Sequence, residues 1–203
     1  MDDTYLTIER EARAEIKEKG SRFIAESFLV TTLDAALEKL ESVRKREYPA
    51  THHCYAYLLG TAEASQFKYS DDGEPSGTAG KPIYDLAAGR NLTNLLLVVT
   101  RYFGGTKLGT GGLLRAYSDT ARAALDASGV RTNYLTHHFH FTVDFPHYDS
   151  WQRELHRLEA RVVDSQFTDR VSMVIEIRRS RAEELTERFI ELTAGKGRFE
   201  QVD

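Results

Sequence analysis

The chain has 203 residues, of which 41% are hydrophobic and 29% are charged, and its formal net charge is −4. This composition is typical of a globular protein and excludes one that binds polyanions over its whole surface. Cys54 is the single cysteine, so an internal disulfide is excluded and a reducing compartment is favoured. Residues 1–4 are acidic without an apolar h-region, and no apolar run reaches the roughly 20 residues of a membrane helix. We therefore expect a cytoplasmic protein.

The first third of the chain predicts two extended segments, a helix and a strand. Residues 16–30 are expected to be extended around a turn at residues 20–21, and Thr32 is expected to cap a helix with apolar residues at helical spacing. Residues 53–59 alternate as a strand. One face of that strand carries Cys54, Ala56 and Leu58, and the other carries Tyr55, Tyr57 and Leu59.

The middle of the chain predicts a helix, a buried strand and a second helix. Thr78 is expected to cap a helix that runs to about Gly89. Residues 95–99 are five consecutive apolar residues, which predicts a central strand buried on both faces. A glycine-rich segment follows, and the next helix ends at Gly129.

The last third of the chain predicts a domain of its own. Its pattern is strand 138–145, helix 148–159, strands 161–167 and 171–178, helix 182–194 and strand 197–201. This βαββαβ order is ferredoxin-like. We therefore predict an α+β protein with two domains, residues 1–134 and residues 135–203.

Glycine is concentrated in one part of the chain, because nine of the 14 glycines lie between Gly73 and Gly112. Residues 101–112 follow the buried strand and lead into a helix. Free N–H groups and the helix dipole favour an anion at such a helix start, with Thr110 as cap and Lys107 as an added charge. The predicted binding residues are Arg101, Tyr102, Phe103, Gly104, Gly105, Lys107, Gly109, Thr110, Gly111, Gly112 and Arg115.

Two known glycine motifs do not fit this segment. Thr110 and Gly111 stand where the phosphate-loop motif requires lysine and serine or threonine. A dinucleotide fingerprint would need a βαβ unit with a downstream acid, and none is evident. The alternative is that the glycines serve tight strand–helix packing.

A second constrained loop spans residues 71–82, with Gly77, Thr78 and Gly80 as predicted binding residues. Its acids Asp71, Asp72 and Glu74 either hold a divalent cation or form an exposed acidic turn, and we expect the turn. No metal or cofactor is expected.

Histidine and cysteine side chains provide the candidates for catalysis. His52 and His53 are candidate bases, and Asp72 and Glu74 are candidate acids. Cys54 alternates with core residues and is expected to be a buried structural cysteine. The group His137, His138 and His140 either binds a metal or, as we expect, is structural or exposed at the surface.

Charge is uneven along the chain. The segment 81–131 contains seven basic and three acidic residues, a net charge of +4, while the remainder carries −8. This segment is either a surface that faces a polyanion or an ordinary set of local ion pairs. Arg115, Asp119 and Arg122 share a helical face and are expected to form such pairs.

Several segments together resemble the IMPACT family. They read ATHHCYAY at residues 50–57, DGEPSGTAG at residues 72–80 and RYFGGTKLG at residues 101–109, followed by GGL at 111–113 and RAY at 115–117. The resemblance spans roughly residues 22–130, and the C-terminal pattern resembles the second domain of the bacterial two-domain members. One departure is His53, where asparagine is common in the family.

The resemblance implies an N-terminal α/β sandwich like ribosomal protein S5 domain 2 and a ferredoxin-like C-terminal domain. Together these are similar to domains IV and V of elongation factor G, which act on the ribosome. Eukaryotic relatives regulate translation initiation by competing for the activator of a kinase of an initiation factor. The resemblance names no catalytic residue.

Three functions are compatible with the sequence. The first is a non-enzymatic, translation-linked protein that binds RNA, the ribosome or a translation-factor partner through residues 101–115. The second is an enzyme that acts on a small phosphorylated or carboxylated ligand between the two glycine loops. The third is a protein scaffold that docks through its βαββαβ domain.

Overall fold

The computed structural model describes residues 3–61 and 64–202. Residues 5–133 form one compact unit, and residues 134–202 form a second together with residues 3 and 4. Residues 1 and 2, which belong to the acidic segment without an h-region, lie outside the described residues. Among the described helices, none is both long and apolar enough to cross a membrane.

The first unit contains seven strands and three α-helices in the described residues. In chain order they are β1 (Thr4–Ile8), β2 (Ala12–Glu18), β3 (Ser21–Leu29), α1 (Leu33–Arg46), β4 (His52–Leu59), β5 (Gln66–Ser70), α2 (Gly80–Gly89), β6 (Leu95–Tyr102), α3 (Gly109–Ser128) and β7 (Val130–Tyr134). Strands β1 and β7 pair with each other, and the other five form an antiparallel sheet in the order β2-β3-β6-β4-β5.

Helices cover both faces of the five-stranded sheet. On one face, Cys54, Ala56 and Leu58 of β4 pack with apolar side chains of α2 and α3. On the other face, Tyr55 and Tyr57 pack with apolar side chains of α1. The predicted division of the β4 faces is therefore confirmed. Residues 95–99 are fully buried, as expected for a central strand covered on both sides.

The helix that the sequence places after Thr32 is confirmed. The Thr32 hydroxyl accepts a hydrogen bond from Ala35 N at 3.2 Å, which satisfies one of the free N–H groups of the first turn. Strands β1, β5 and β7 were not predicted. Strand β5 is a short, exposed edge strand of five residues, and β1 pairs with a segment more than a hundred residues away.

The second unit has the βαββαβ order predicted from the sequence. Its elements are β8 (Thr136–Val143), α4 (Phe145–Arg157), β9 (Arg161–Phe167), β10 (Val171–Arg178), α5 (Ala182–Thr193) and β11 (Arg198–Gln201). The sheet order is β11-β8-β10-β9, and Phe141, Trp151 and Phe189 form the centre of its aromatic core. Phe145 was predicted to end a strand but begins α4, because Pro146 favours the first turn of a helix.

The fold class predicted from the sequence is therefore confirmed. The molecule is an α+β protein that combines an S5 domain 2-like sandwich with a ferredoxin-like domain.

Candidate functional site

The glycine-rich segment forms an exposed turn between β6 and α3. Residues 103–107 and 109–111 are exposed, and so is Arg115 in the first turns of α3. Lys107 and Arg115 form no ion pair with any residue that the structure describes. Two positive charges therefore flank this helix start without an internal counter-charge.

The start of α3 lacks a side-chain cap. Leu108 occupies the cap position and offers no acceptor, and the first turn contains no acidic residue. The prediction that Thr110 caps this helix is wrong, because the helix begins at Gly109 and Thr110 lies inside the first turn. The first N–H groups of α3 are thus left without a side-chain acceptor, and they favour negative charge nearby.

The glycines of this turn serve different purposes. A Cβ on Gly104 would lie 1.9 Å from the carbonyl carbon of Gly20, so the β2–β3 turn requires glycine there for close approach. Gly105 and Gly109 have positive φ angles. Gly111 has neither constraint, because its φ angle is not positive and a Cβ at this position would meet no atom within 4 Å. Packing therefore explains Gly104 and does not explain Gly111.

The start of α2 differs from the start of α3, because the chain supplies an anion there. The Asp71 carboxylate accepts hydrogen bonds from the backbone N–H groups of Gly77 at 2.9 Å, Ala79 at 3.0 Å and Gly80 at 2.8 Å. The prediction that Thr78 caps this helix is wrong, since its hydroxyl donates to the carbonyl oxygen of Pro75. The amides of the second glycine loop are therefore already bound to the protein itself.

A buried polar cluster joins the second loop to β6 and α3. Arg101, only 5% exposed, donates to Glu74 Oε1 at 2.6 Å, and the Tyr117 hydroxyl donates to the same oxygen at 2.8 Å. Arg101 also lies against the rings of Phe23 and Phe103, each 5.4 Å from its guanidinium carbon. Burial raises the pKa of Tyr117, so its hydroxyl remains a proton donor. Glu74 is therefore an ionic centre of the interior.

The candidate bases and acids lie close together around this cluster. His52 Nδ1 is 2.8 Å from the carbonyl oxygen of Asp72, and His52 Nε2 is 3.9 Å from Glu74 Oε1. Asp72 Oδ2 accepts the backbone N–H of His53, and His53 Nδ1 is 3.1 Å from Thr100 Oγ1. Burial lowers the pKa of His53. Each of these side chains thus has a partner within the fold.

Cys54 has the buried position that the sequence predicts. Its thiol is fully buried and donates to the carbonyl oxygen of Asp71 at 3.0 Å. Burial raises the pKa of the thiol far above its usual range, so Cys54 stays protonated and unreactive in the fold.

The aromatic residues of the segment differ in their accessibility. The Tyr102 hydroxyl donates to Glu47 at 2.7 Å, and the Arg22 guanidinium lies 4.4 Å above the Tyr102 ring. Tyr117 is fully buried, whereas Phe103 is 46% exposed. Of the three rings, Phe103 is therefore the one that can stack on a ligand.

Ion pairing accounts for part of the positive charge between residues 81 and 131. Lys81 pairs with Asp85, Arg90 pairs with Asp126, and Arg101 pairs with Glu74. The expected pairs among Arg115, Asp119 and Arg122 do not form within 4 Å in the described part of the chain. Among the described residues, the basic side chains of this segment that form no ion pair are Lys107, Arg115, Arg122 and Arg131, and the first two flank the start of α3.

Two of the three histidines of β8 lie beside a carboxylate, and His137 Nδ1 lies 3.1 Å from Gln201 Nε2. His138 is 3.9 Å from Glu176, and His140 is 3.6 Å from Glu200. Within residues 3–61 and 64–202, no three histidine, cysteine or acidic side chains converge in a way that would hold a metal ion. Asp71, Asp72 and Glu74 therefore do not form such a group.

Comparison with known proteins assigns the chain to a family. The Impact N-terminal domain model matches residues 19–125, and a model described as a domain of unknown function (DUF1949) matches residues 141–196. The chain is 35% identical over 196 residues to the IMPACT family member YvyE of Bacillus subtilis, covering 97% of this chain and 90% of that protein. The chain belongs to the IMPACT family.

Two further comparisons match half of the chain and the whole chain. The Escherichia coli family member YigZ is 44% identical over 108 residues, which cover 53% of each protein. The crystal structure of a hypothetical protein aligns with a TM-score of 0.73 at 26% identity and covers 100% of this chain and 99% of its own. Both glycine loops and the buried cluster lie within the matched Impact N-terminal domain.

Two contacts were not predicted from the sequence. They are the capping of α2 by the Asp71 carboxylate and the hydrogen bond from the Tyr117 hydroxyl to Glu74. A signal for Asp71 exists, since aspartate at the start of a turn commonly accepts backbone N–H groups. Tyr117 recurs with the apolar residues of α3, which indicates burial but does not identify the acceptor of its hydroxyl.

Proposed function

We propose that this IMPACT family protein is a non-enzymatic, translation-linked binding protein that contacts RNA, most directly on the ribosome. The contact is made by the loop surface, defined as residues 103–112 with Arg115. The observation that carries the proposal is the start of α3, which is exposed, uncapped and flanked by the unpaired cations Lys107 and Arg115. Phosphate groups are the anions that such a helix start suits best.

The contrast with α2 supports this choice of surface. The N–H groups at the start of α2 are bonded to Asp71, whereas the first turn of α3 has no acid of its own. Gly111 leaves open space at the helix start, and Phe103 exposes a ring that can stack on an unpaired base. Membership of the IMPACT family supports a role linked to translation and does not by itself choose between RNA and a protein partner.

The contacts of the buried cluster favour binding over the enzymatic alternative. Glu74 is ion-paired with Arg101 and bonded to Tyr117, and Asp72 accepts the backbone N–H of His53. A general acid or base needs a free position within hydrogen-bond reach of a substrate. These groups are instead committed to holding β4, β6, α3 and the second loop together.

Ribosome co-sedimentation across a salt series tests the proposal. We expect binding of the wild-type chain to weaken as salt rises, because phosphate contacts release counterions. The variant Lys107→Glu/Arg115→Glu should bind more weakly and should lower the slope of log K against log salt by roughly 1 for each contact removed. Ribosome binding that changes neither with salt concentration nor with these substitutions would contradict the proposal.

A matched control separates a local site from net charge. The variant Arg131→Glu/Lys196→Glu changes two exposed basic residues outside the loop surface and alters the net charge equally. An equal loss of binding in this control would mean that the loop surface has no special role. Recovery of a protein partner after nuclease treatment, with binding still dependent on Lys107, would shift the target from RNA to a protein of the translation apparatus.

A further inference from the structure

An aromatic surface lies at the edge of the five-stranded sheet, on residues that the proposed function does not use. Strand β5 is the last strand of that sheet and pairs with β4 on one side. Phe67 is 57% exposed and Tyr69 is 40% exposed. Both rings lie on the face of β5 that packs with α2. We define the β5 edge as residues 66–70 with Tyr84.

The rings of the β5 edge form one continuous surface with a fixed support. Tyr84 of α2 lies 4.8 Å from the ring of Phe67 and 5.5 Å from the ring of Tyr69, measured between ring centroids. Tyr84 is itself packed against the core beneath α2. The two exposed rings are therefore held in place by a third ring that is anchored in the interior.

The outer side of β5 offers unpaired backbone groups. Alternate residues of an edge strand direct their N–H and C=O groups away from the neighbouring strand. No strand or loop in residues 3–61 and 64–202 bonds to this outer side. Such a row of donors and acceptors is complementary to another extended chain.

The opposite edge of the same sheet is built differently. Strand β2 carries Arg13, Glu15 and Lys17 along one face, and charges of this kind are the usual protection of an edge against pairing. Strand β5 carries a single charge, Lys68, on the face opposite the rings, whereas β2 carries four charged residues. The two edges therefore differ in how many charges oppose the addition of a strand.

Charge identifies the chemistry of the occupant. Lys81, a cation beside Tyr69 and Tyr84, is paired with Asp85, and Lys68 lies on the opposite face of β5, so the ring surface offers little net charge to a nucleic acid. Rings spaced two residues apart match the side chains of an added strand, which also repeat every two residues. An apolar peptide segment therefore fits this surface better than a phosphate backbone does.

We propose that the β5 edge binds an extended segment of a partner protein, which adds to the sheet as a sixth strand. The segment places apolar side chains at alternate positions against Phe67, Tyr69 and Tyr84. The proposal is independent of the loop surface, since the two surfaces share no residue. This chain would thus have a protein-docking edge besides its proposed RNA-binding turn.

The test uses the full chain and peptides selected from a random-sequence library. Selected peptides should have apolar residues at alternate positions and should shift the backbone amide NMR signals of residues 66–70. Phe67→Lys and Tyr69→Lys should each weaken binding about tenfold or more. The matched control is Phe167→Lys, which changes a ring that is 54% exposed on edge strand β9 and should leave binding within about twofold.

Three results would overturn the proposal. Selected peptides that shift other amides would place docking elsewhere. Concentration-dependent self-association abolished by Tyr69→Lys would identify a second copy of the chain as the occupant. A single-stranded oligouridine that shifts the β5 amides, with no peptide doing so, would replace the protein partner with RNA. The variant Lys107→Glu/Arg115→Glu should keep its peptide binding, so failure of one proposal does not decide the other.

Discussion

Arg101 and Glu74 form a buried ion pair, with 2.6 Å between Nη1 and Oε1. Glu74→Ala leaves the Arg101 charge in the interior without its counter-charge. We expect it to lower the free energy of unfolding by about 3–5 kcal/mol, as measured by urea denaturation. Removal of one partner is costly because a buried charge cannot regain its hydration.

The double variant Glu74→Leu/Arg101→Met tests the physical reason. It removes both charges, so it should recover much of the stability lost in Glu74→Ala. As a control, Arg188→Ala breaks an exposed pair with Glu191 and should cost about 0.5 kcal/mol or less. If Glu74→Ala were as mild as Arg188→Ala, Glu74 would not be the ionic centre of the cluster.

Two glycine substitutions distinguish packing from ligand approach in the first glycine segment. Gly104→Ala should destabilise the fold by about 1–3 kcal/mol, because its methyl group would overlap the backbone of Gly20. Gly111→Ala should be neutral or stabilising by about 0.5 kcal/mol, since alanine suits a helix better. The same Gly111→Ala variant should weaken ribosome binding, because the methyl group covers the open helix start. Unchanged binding in a stable Gly111→Ala protein would leave that glycine unexplained.

His53 predicts a pH dependence of stability. Burial holds its pKa below the usual histidine value in the folded state, so the unfolded chain takes up a proton first as the pH falls. Stability from this residue is therefore present above about pH 6.5, the ordinary histidine pKa, and is lost below it. Urea denaturation between about pH 7.5 and pH 5.5 should show a shallower pH dependence for His53→Asn than for wild type. Identical slopes would mean that His53 does not resist protonation.

Cys54 predicts a test by chemical labelling. Its buried thiol has a raised pKa and donates to the carbonyl oxygen of Asp71, so iodoacetamide should not modify the native chain at a measurable rate. Modification should become rapid in urea, where the thiol is exposed. If mass spectrometry showed that iodoacetamide labels the native protein rapidly, β4 or the loop after β5 would have to open frequently.

Local patterns were sufficient to predict most of the helices and strands. The alternation in residues 53–59, the apolar run 95–99 and the βαββαβ order all correspond to observed elements. Pairing between distant segments was not predictable, as β1 and β7 show. Strand β5 was missed although residues 66–70 alternate between polar and aromatic side chains, so its pattern was available in the sequence.

The burial of Arg101 could have been predicted from the sequence. Leu95, Leu97 and Val99 alternate on the face of β6 that packs under α2 and α3, and Arg101 continues this alternation. The period of two therefore indicates burial for Arg101. Its counter-charge was not predictable, because Glu74 lies in an irregular loop whose path depends on the capping of α2 by Asp71.

The capping of α2 by Asp71 also affects which anions can reach that helix start. A dissolved phosphate that approached Gly77, Ala79 and Gly80 would have to displace a carboxylate tethered a few residues away. A group held by so short a tether acts at an effective concentration in the millimolar range or above. We therefore expect metabolite anions at lower concentrations to be outcompeted at the start of α2, whereas the start of α3 has no such internal competitor.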